Sequence, residues 1–152
     1  MMAFAGVLRA SRGEIEFAEL VAIWRSAVDA THGFVSADDL DQIEAAMPAE
    51  YLPSVQLTVA EVDGQLVGFA GTAAHRLEML FVENAFRGGG IGSALLEYVV
   101  QEQGVTELDV NEQNPHAVAF YASRGFAVIG RSETDEAGYP YPLLHMRRQH
   151  NT

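Results

Sequence analysis

The sequence contains no cysteine and no lysine. Without cysteine there is no disulfide framework and no thiol chemistry. Without lysine a P-loop ending in Gly-Lys-Ser/Thr is excluded, and all nine basic side chains are arginines. No apolar run approaches the length of a membrane span. Residues 1–9 carry no basic leader, and their apolar stretch is too short for a signal peptide. The five histidines show no zinc-like spacing. His145 and His150 are five apart, which does not match a helical HxxxH pair, so no metal is expected. Together these absences point to a cytoplasmic protein.

What is present suits one domain spanning residues 1–152. Hydrophobic residues make up 49% of the chain, enough for a buried core. The net charge is −12. Such a field repels nucleic acid and anionic membrane surfaces, so neither is an expected partner. It favours a cationic substrate, although solubility alone accounts for a charge of this kind. An anionic ligand must therefore be held by local arginine and backbone N–H groups.

There is no internal repeat or linker, and segments alternate between period-2 and period-3.6 patterns, which predicts a mixed α/β domain. Residues 4–10 read as a strand. Ser11, with Glu14 three positions later, forms a capping box for a helix to about residue 30. Ile15, Leu20, Ile23, Trp24 and Ala27 are its inward residues. Ser36 caps a second, acidic helix that ends near Met47 or soon after Pro48. Residues 54–62 and 66–74 read as strands joined at Asp63-Gly64, a hairpin signal, and 76–82 as another strand. Residues 90–103 form a helix stopped by Gly104, and 106–110 a strand. Asn114-Pro115 opens a helix that stops at Gly125. Residues 126–131 and 143–147 close the chain as strands. The order is β-α-α-β-β-β-α-β-α-β-β.

The chemically informative segment is Arg87-Gly88-Gly89-Gly90-Ile91-Gly92, between a strand and a helix. The first N–H groups of a helix lack internal partners and carry partial positive charge. Glycines let the backbone curl so that several N–H groups converge, and Arg87 adds a bidentate cation. The combination suits a pyrophosphate. A tight structural turn explains the glycines alone, but not their setting beside Arg87. A dinucleotide fingerprint fits less well. Gly88-x-Gly90-x-x-Ser93 and Gly90-x-Gly92-x-x-Leu95 both lack the third glycine, although Asp109 lies at about the ~20-residue spacing of a ribose contact. Antiparallel hairpin strands precede the turn, which leaves a dinucleotide enzyme as a minor alternative.

Arg87-x-x-Gly90-x-Gly92 resembles the Arg/Gln-x-x-Gly-x-Gly/Ala motif of the GNAT superfamily of N-acetyltransferases. Asn114-x-x-Ala117-x-x-Phe120-Tyr121-x-x-x-Gly125-Phe126 resembles that superfamily's second signature, at the expected separation. The segments 22–24, 31–35, 110–114 and 139–144 look like those of its YjaB-type bacterial members, so the resemblance covers nearly the whole chain. Asn84 departs from the pattern, standing where the family often has proline.

The resemblance implies a mostly antiparallel mixed sheet with a parallel, splayed strand pair, flanked by about four helices. It implies transfer of an acetyl group from acetyl-CoA to a primary amine, on a small molecule or a peptide. Arg87 to Gly92, with Ile91, would cradle the pyrophosphate. Backbone groups at Leu80, Phe81 and Val82 would meet the pantetheine arm and the thioester, and also serve the strand core. Tyr121 would protonate the departing thiolate and contact the coenzyme. Asn114 caps its helix and would touch the coenzyme. Arg124 would reach the 3′-phosphate or simply favour the helix C-terminus. Glu78, on the same strand face as Leu80 and Val82, is the leading base, ahead of Glu83, Asn111 and His75. Its alternative is a solvent-facing strand residue. His32 and Phe34 sit where similar proteins cap the acceptor pocket, near Asp38, Asp39, Asp41 and Glu44, which also read as an ordinary solvated helix face. Similar proteins are often homodimers. A non-catalytic acetyl-CoA sensor of the same fold is the alternative function.

Overall fold

The computed structural model describes residues 4–149. His150 lies outside the described residues, as do positions 1–3 of the start considered above. The strands and helices follow the order read from the periodicity. They fall into two compact units, one running to Val105 and the other beginning at Thr106.

In the first unit four strands lie in chain order, each antiparallel to the next: β1 (Val7–Ala10), β2 (Gln56–Val62), β3 (Gln65–Ala73) and β4 (Arg76–Val82). Three helices accompany them: α1 (Phe17–Thr31), α2 (Ala37–Ala46) and α3 (Ile91–Gln103). Leu57, Val59 and Phe69 form a core with Leu20, Ile23, Trp24 and Val28 of α1 and Leu40 of α2, with Met79 and Phe81 packed against it. The opposite face of β3 meets α3. A Cβ on Gly68 would lie 3.0 Å from Ile91 Cγ2 and 3.3 Å from Leu95 Cδ1, so glycine there permits the helix to approach. Deep between these layers, the Gln103 amide satisfies two buried threonines. Its Nε2 donates to Thr58 Oγ1 (3.0 Å) and its Oε1 accepts from Thr72 Oγ1 (2.5 Å).

Both tight hairpins use left-handed backbone. Asp63 and Gly64 have φ of 50° and 81°, the geometry that the Asp-Gly pair predicts. Ala74 and His75 do the same between β3 and β4, with φ of 48° and 67° and no glycine to signal it.

The capping box expected at Ser11 and Glu14 is not formed. A short 3-10 turn occupies Glu14–Glu16, and α1 begins only at Phe17. Ser11 is committed to the carboxylate of Glu16. Its hydroxyl donates to Glu16 Oε1 (3.0 Å) and accepts from the Gly13 N–H (3.1 Å). Glu16 also takes the Arg12 N–H (2.7 Å) and an ion pair from Arg9 (2.7 Å). A buried carboxylate needs several donors, and that demand outweighs the gain from one helix cap. Ile15, expected inward, is displaced outward by the same turn and is 83% exposed. Ser36 does cap α2, accepting the Asp39 N–H at 3.1 Å. After Ala46 the chain widens into a π-type turn at Met47–Tyr51, where Pro48 has no N–H for an α ladder.

In the second unit three strands lie antiparallel in the order β5 (Glu107–Asn111), β7 (Leu143–Arg148), β6 (Phe126–Ser132). One face of β5 and β7 is apolar, with Leu108 opposite Met146 and Val110 opposite Leu144. The other is polar, with Glu107 opposite Arg147 and Asp109 opposite His145. Asn114 opens α4 (Pro115–Ser123), its Oδ1 accepting the Ala117 N–H at 3.2 Å.

Candidate active site

The glycine-rich turn is entered through a built joint. Glu83 ends β4 and caps a 3-10 turn at Asn84–Phe86, its Oε2 accepting the Ala85 N–H at 2.6 Å. Ser26 of α1 ties the same joint from the other side. Its hydroxyl donates to Glu83 Oε1 (2.9 Å) and accepts the Asn84 N–H (3.0 Å). A serine in mid-helix gives no sequence signal for such a role. These bonds commit Glu83 to the backbone. Asn84, in place of the family's common proline, keeps an N–H that this joint uses.

Beyond the joint, Gly88 and Gly90 stand at φ of 83° and 81°. A side chain there costs about 1–2 kcal/mol in backbone strain. Gly90 is the N-cap of α3, and its carbonyl receives the first helical bond, from Ala94 at 3.0 Å. The N–H groups of Ile91, Gly92 and Ser93 precede that ladder, as in any helix start. A Cβ on Gly88 would meet nothing within 4 Å, so the turn is open on that side. Arg87 is exposed and, among the described residues, has no carboxylate partner. By contrast Arg9, Arg25, Arg76, Arg131 and Arg147 each pair with an acid. The turn thus offers oriented N–H groups, a helix N-terminus and an uncommitted cation, a donor set suited to phosphate oxygens.

On β4, Leu80, Phe81 and Val82 pair with Ala70, Phe69 and Gly68. Phe81 packs its ring against Phe69 at 5.8 Å between centroids. Gly71 opposes Met79 while Thr72 opposes Leu77, so Glu78 is the extra residue of a β-bulge. Its carboxylate lies 3.4 Å from Arg76 Nε. His75, in the adjoining turn, is hydrogen-bonded through Nδ1 to the Gly104 carbonyl (3.2 Å).

His32 and Phe34 come together after α1, their rings 5.2 Å apart. Thr31 Oγ1 lies 2.7 Å from His32 Nδ1, and burial lowers the imidazole's pKa, which favours the neutral ring. The acidic face of α2 is partly neutralised, since Arg25 reaches Asp41 (2.9 Å) and Glu44 (3.6 Å).

In the second unit Tyr121 is buried on α4, edge-on to Phe126 at 6.1 Å and to Phe120 at 5.3 Å. Its hydroxyl makes no hydrogen bond among the described residues. Burial raises its pKa above the ordinary 10, so the phenol keeps its proton at neutral pH. Arg124, at the end of α4, lies over the Phe120 ring at 5.3 Å. Asn111, at the end of β5, buries its Oδ1 without a partner.

The sequence from residue 27 to 149 matches the model of the acetyltransferase (GNAT) domain. The peptidyl-lysine N-acetyltransferase YjaB of Escherichia coli K12 is 43% identical over 140 residues, which span 91% of this chain and 94% of that protein. The chain belongs to the GNAT acetyltransferase family. The solution structure of apo YjaB from E. coli superposes with a TM-score of 0.87 at 39% identity, covering 97% of this chain and 99% of that one. The PaiA N-acetyltransferase of Thermoplasma acidophilum, in complex with coenzyme A, shares the fold, with a TM-score of 0.72 at 20% identity over 95% of this chain. The GNAT fold is the mixed α/β class that the periodicity predicts. Among the described residues no group of His, Asp or Glu is arranged to hold a metal ion, and no helix is long and apolar enough to cross a membrane.

Proposed function

We propose that this GNAT protein transfers the acetyl group of acetyl-CoA to the side-chain amine of a peptide lysine, as one catalytic domain. The observation that carries the reading is the turn at residues 87–92, where an unpaired arginine and two left-handed glycines lead into α3. The pyrophosphate of the acetyl donor is held there by Arg87 and by N–H groups of Gly88, Gly89, Gly90, Ile91 and Gly92. Asn114 and Arg124 make further coenzyme contacts. Glu78, re-aimed by its bulge, takes the ammonium proton directly or through water. The free amine attacks the thioester carbonyl. A backbone N–H of Leu80, Phe81 or Val82 stabilises the oxyanion, a contact whose loss costs about 10²–10³ in rate. The C–S bond then breaks, the thiolate takes its proton from Tyr121, and the remaining extra proton on the former amine nitrogen returns to the tyrosinate, leaving a neutral amide.

The lysine acceptor is supported by the similarity to YjaB, a peptidyl-lysine N-acetyltransferase, and by the acidity of this chain. His32 and Phe34 line the acceptor side. The protein works in the cytoplasm, apart from membranes and nucleic acid, and forms a homodimer.

Isothermal titration with acetyl-CoA, and with NADH as control, tests the cradle. Saturable acetyl-CoA binding without NADH binding is expected, with Arg87→Ala weaker by about 1–3 kcal/mol. Binding of NADH alone, or an unchanged Arg87→Ala, overturns the assignment.

A further inference from the structure

In the second unit, the polar face of the β5-β7-β6 sheet carries a hydrogen-bonded serine, histidine and aspartate. Ser132 Oγ lies 2.7 Å from His145 Nε2, and His145 Nδ1 lies 2.6 Å from Asp109 Oδ1. The strand register builds this chain of contacts. His145 on β7 sits directly between Asp109 on β5 and Gly130 on β6. Directly opposed residues share a sheet face, and Ser132, two positions beyond Gly130, shares it too. A bulge at Ile129 sets that phase, since Val128 opposes Met146 and Gly130 opposes His145. Gly130 leaves room for the ring, because a Cβ there would already touch His145 Cδ2 at 3.4 Å.

The two contacts fix the tautomer. An Nδ1–H donates to the Asp109 carboxylate, which leaves the Nε2 lone pair to accept the Ser132 O–H. Serine, a base bonded to it and a carboxylate orienting that base are the parts of an activated nucleophile. On the same face Glu107 is closed by Arg147, which lies directly opposite it. Asn111, two positions beyond Asp109 on β5, shares the face and has a buried carboxamide oxygen with no partner. The face therefore keeps hydrogen-bonding capacity that no protein group fills. A carboxamide turned about its terminal bond presents N–H donors instead, which suits a developing oxyanion.

We propose that Ser132, His145 and Asp109 form a second acyl-handling site, a serine nucleophile acting on short acyl esters and thioesters. Ser132 Oγ bonds to the acyl carbon as its proton passes to His145 Nε2. The C–O or C–S bond breaks, and the leaving alkoxide or thiolate takes that proton. Water, deprotonated by the same imidazole, then attacks the acyl-serine and releases a carboxylic acid, with the proton returned to Ser132. The net reaction is hydrolysis of the ester. Asp109 is the positioning residue, acting through the imidazole.

The test treats the full-length protein with a fluorophosphonate, followed by peptide mass mapping, and measures hydrolysis of p-nitrophenyl acetate. The expected result is stoichiometric modification of Ser132 and a burst of p-nitrophenol equal to the protein concentration. Both disappear in Ser132→Ala. In His145→Gln and Asp109→Asn labelling slows by at least about 100-fold, as for loss of a triad member, and Asp109→Glu restores part of it. Absence of label on Ser132 in the folded wild type overturns the proposal. So does labelling that His145→Gln leaves unchanged.

Discussion

Tyr121 combines two properties that acid catalysis needs. Its ring is immobilised between Phe120 and Phe126, and its hydroxyl is uncommitted within the described structure. Because burial raises its pKa, the proton is present throughout the neutral range. Tyr121→Phe is expected to lower kcat by about 10²-fold, at the low end for general acids, with the acetyl-CoA dissociation constant unchanged. Equal turnover in the two proteins removes Tyr121 from the mechanism. The Glu16 carboxyl illustrates a structural residue of the same kind. Arg9 first, then the Arg12 N–H and Ser11, hold its pKa down at about 2, against an ordinary 4.5. A depressed carboxyl stabilises the fold above its unfolded value and loses that contribution as pH falls through its folded value. Stability is therefore expected to decline between pH 4.5 and about 2, and a melting-temperature series for Glu16→Gln should lack that component. In the sequence Tyr121 stands out because its neighbours form a motif, and its role as the acid awaits the Tyr121→Phe measurement. Sequence reading missed Glu16 and Ser26, whose roles depend on partners that the fold supplies.

Elements behave according to where their ends lie. Helix α3 begins and ends at glycines in left-handed backbone, Gly90 and Gly104, and both ends were legible from glycine placement. The start of α1 was not, because Ser11 satisfies a local pattern and a tertiary demand that exclude each other. Glu16 wins the hydroxyl, and the helix starts later. Both strands of the β3–β4 hairpin were legible, but the geometry of its turn was not, since Ala74 and His75 adopt positive φ without the usual residues. At Gly90, φ of 81° favours glycine, and the proposed cradle would require it. Gly90→Val is expected to cost about 1–2 kcal/mol of stability from backbone strain. It should also abolish measurable acetyl-CoA binding by calorimetry. Intact affinity in that variant contradicts the cradle geometry.

For the whole molecule, the net charge of −12 is expected to favour the approach of a cationic acceptor. Peptides with arginine beside the lysine are expected to be acetylated faster than peptides with aspartate there. The gap should narrow as salt is raised, because screening shortens the reach of the field. Kinetics on paired peptides at low and high ionic strength check this. The sequence by itself determined the alternation of strands and helices, the hairpin at Asp63-Gly64, the capped starts of α2 and α4 and the glycine turn. Each of these is governed by neighbours within a few positions of the chain. Only the tertiary structure decided that Arg87 stays unpaired while Arg9 and Arg131 are neutralised, and that Glu83 serves the backbone. It also decided that Ser132, His145 and Asp109 touch. The last of these depends on strand register, where one bulge residue changes which side chains share a face.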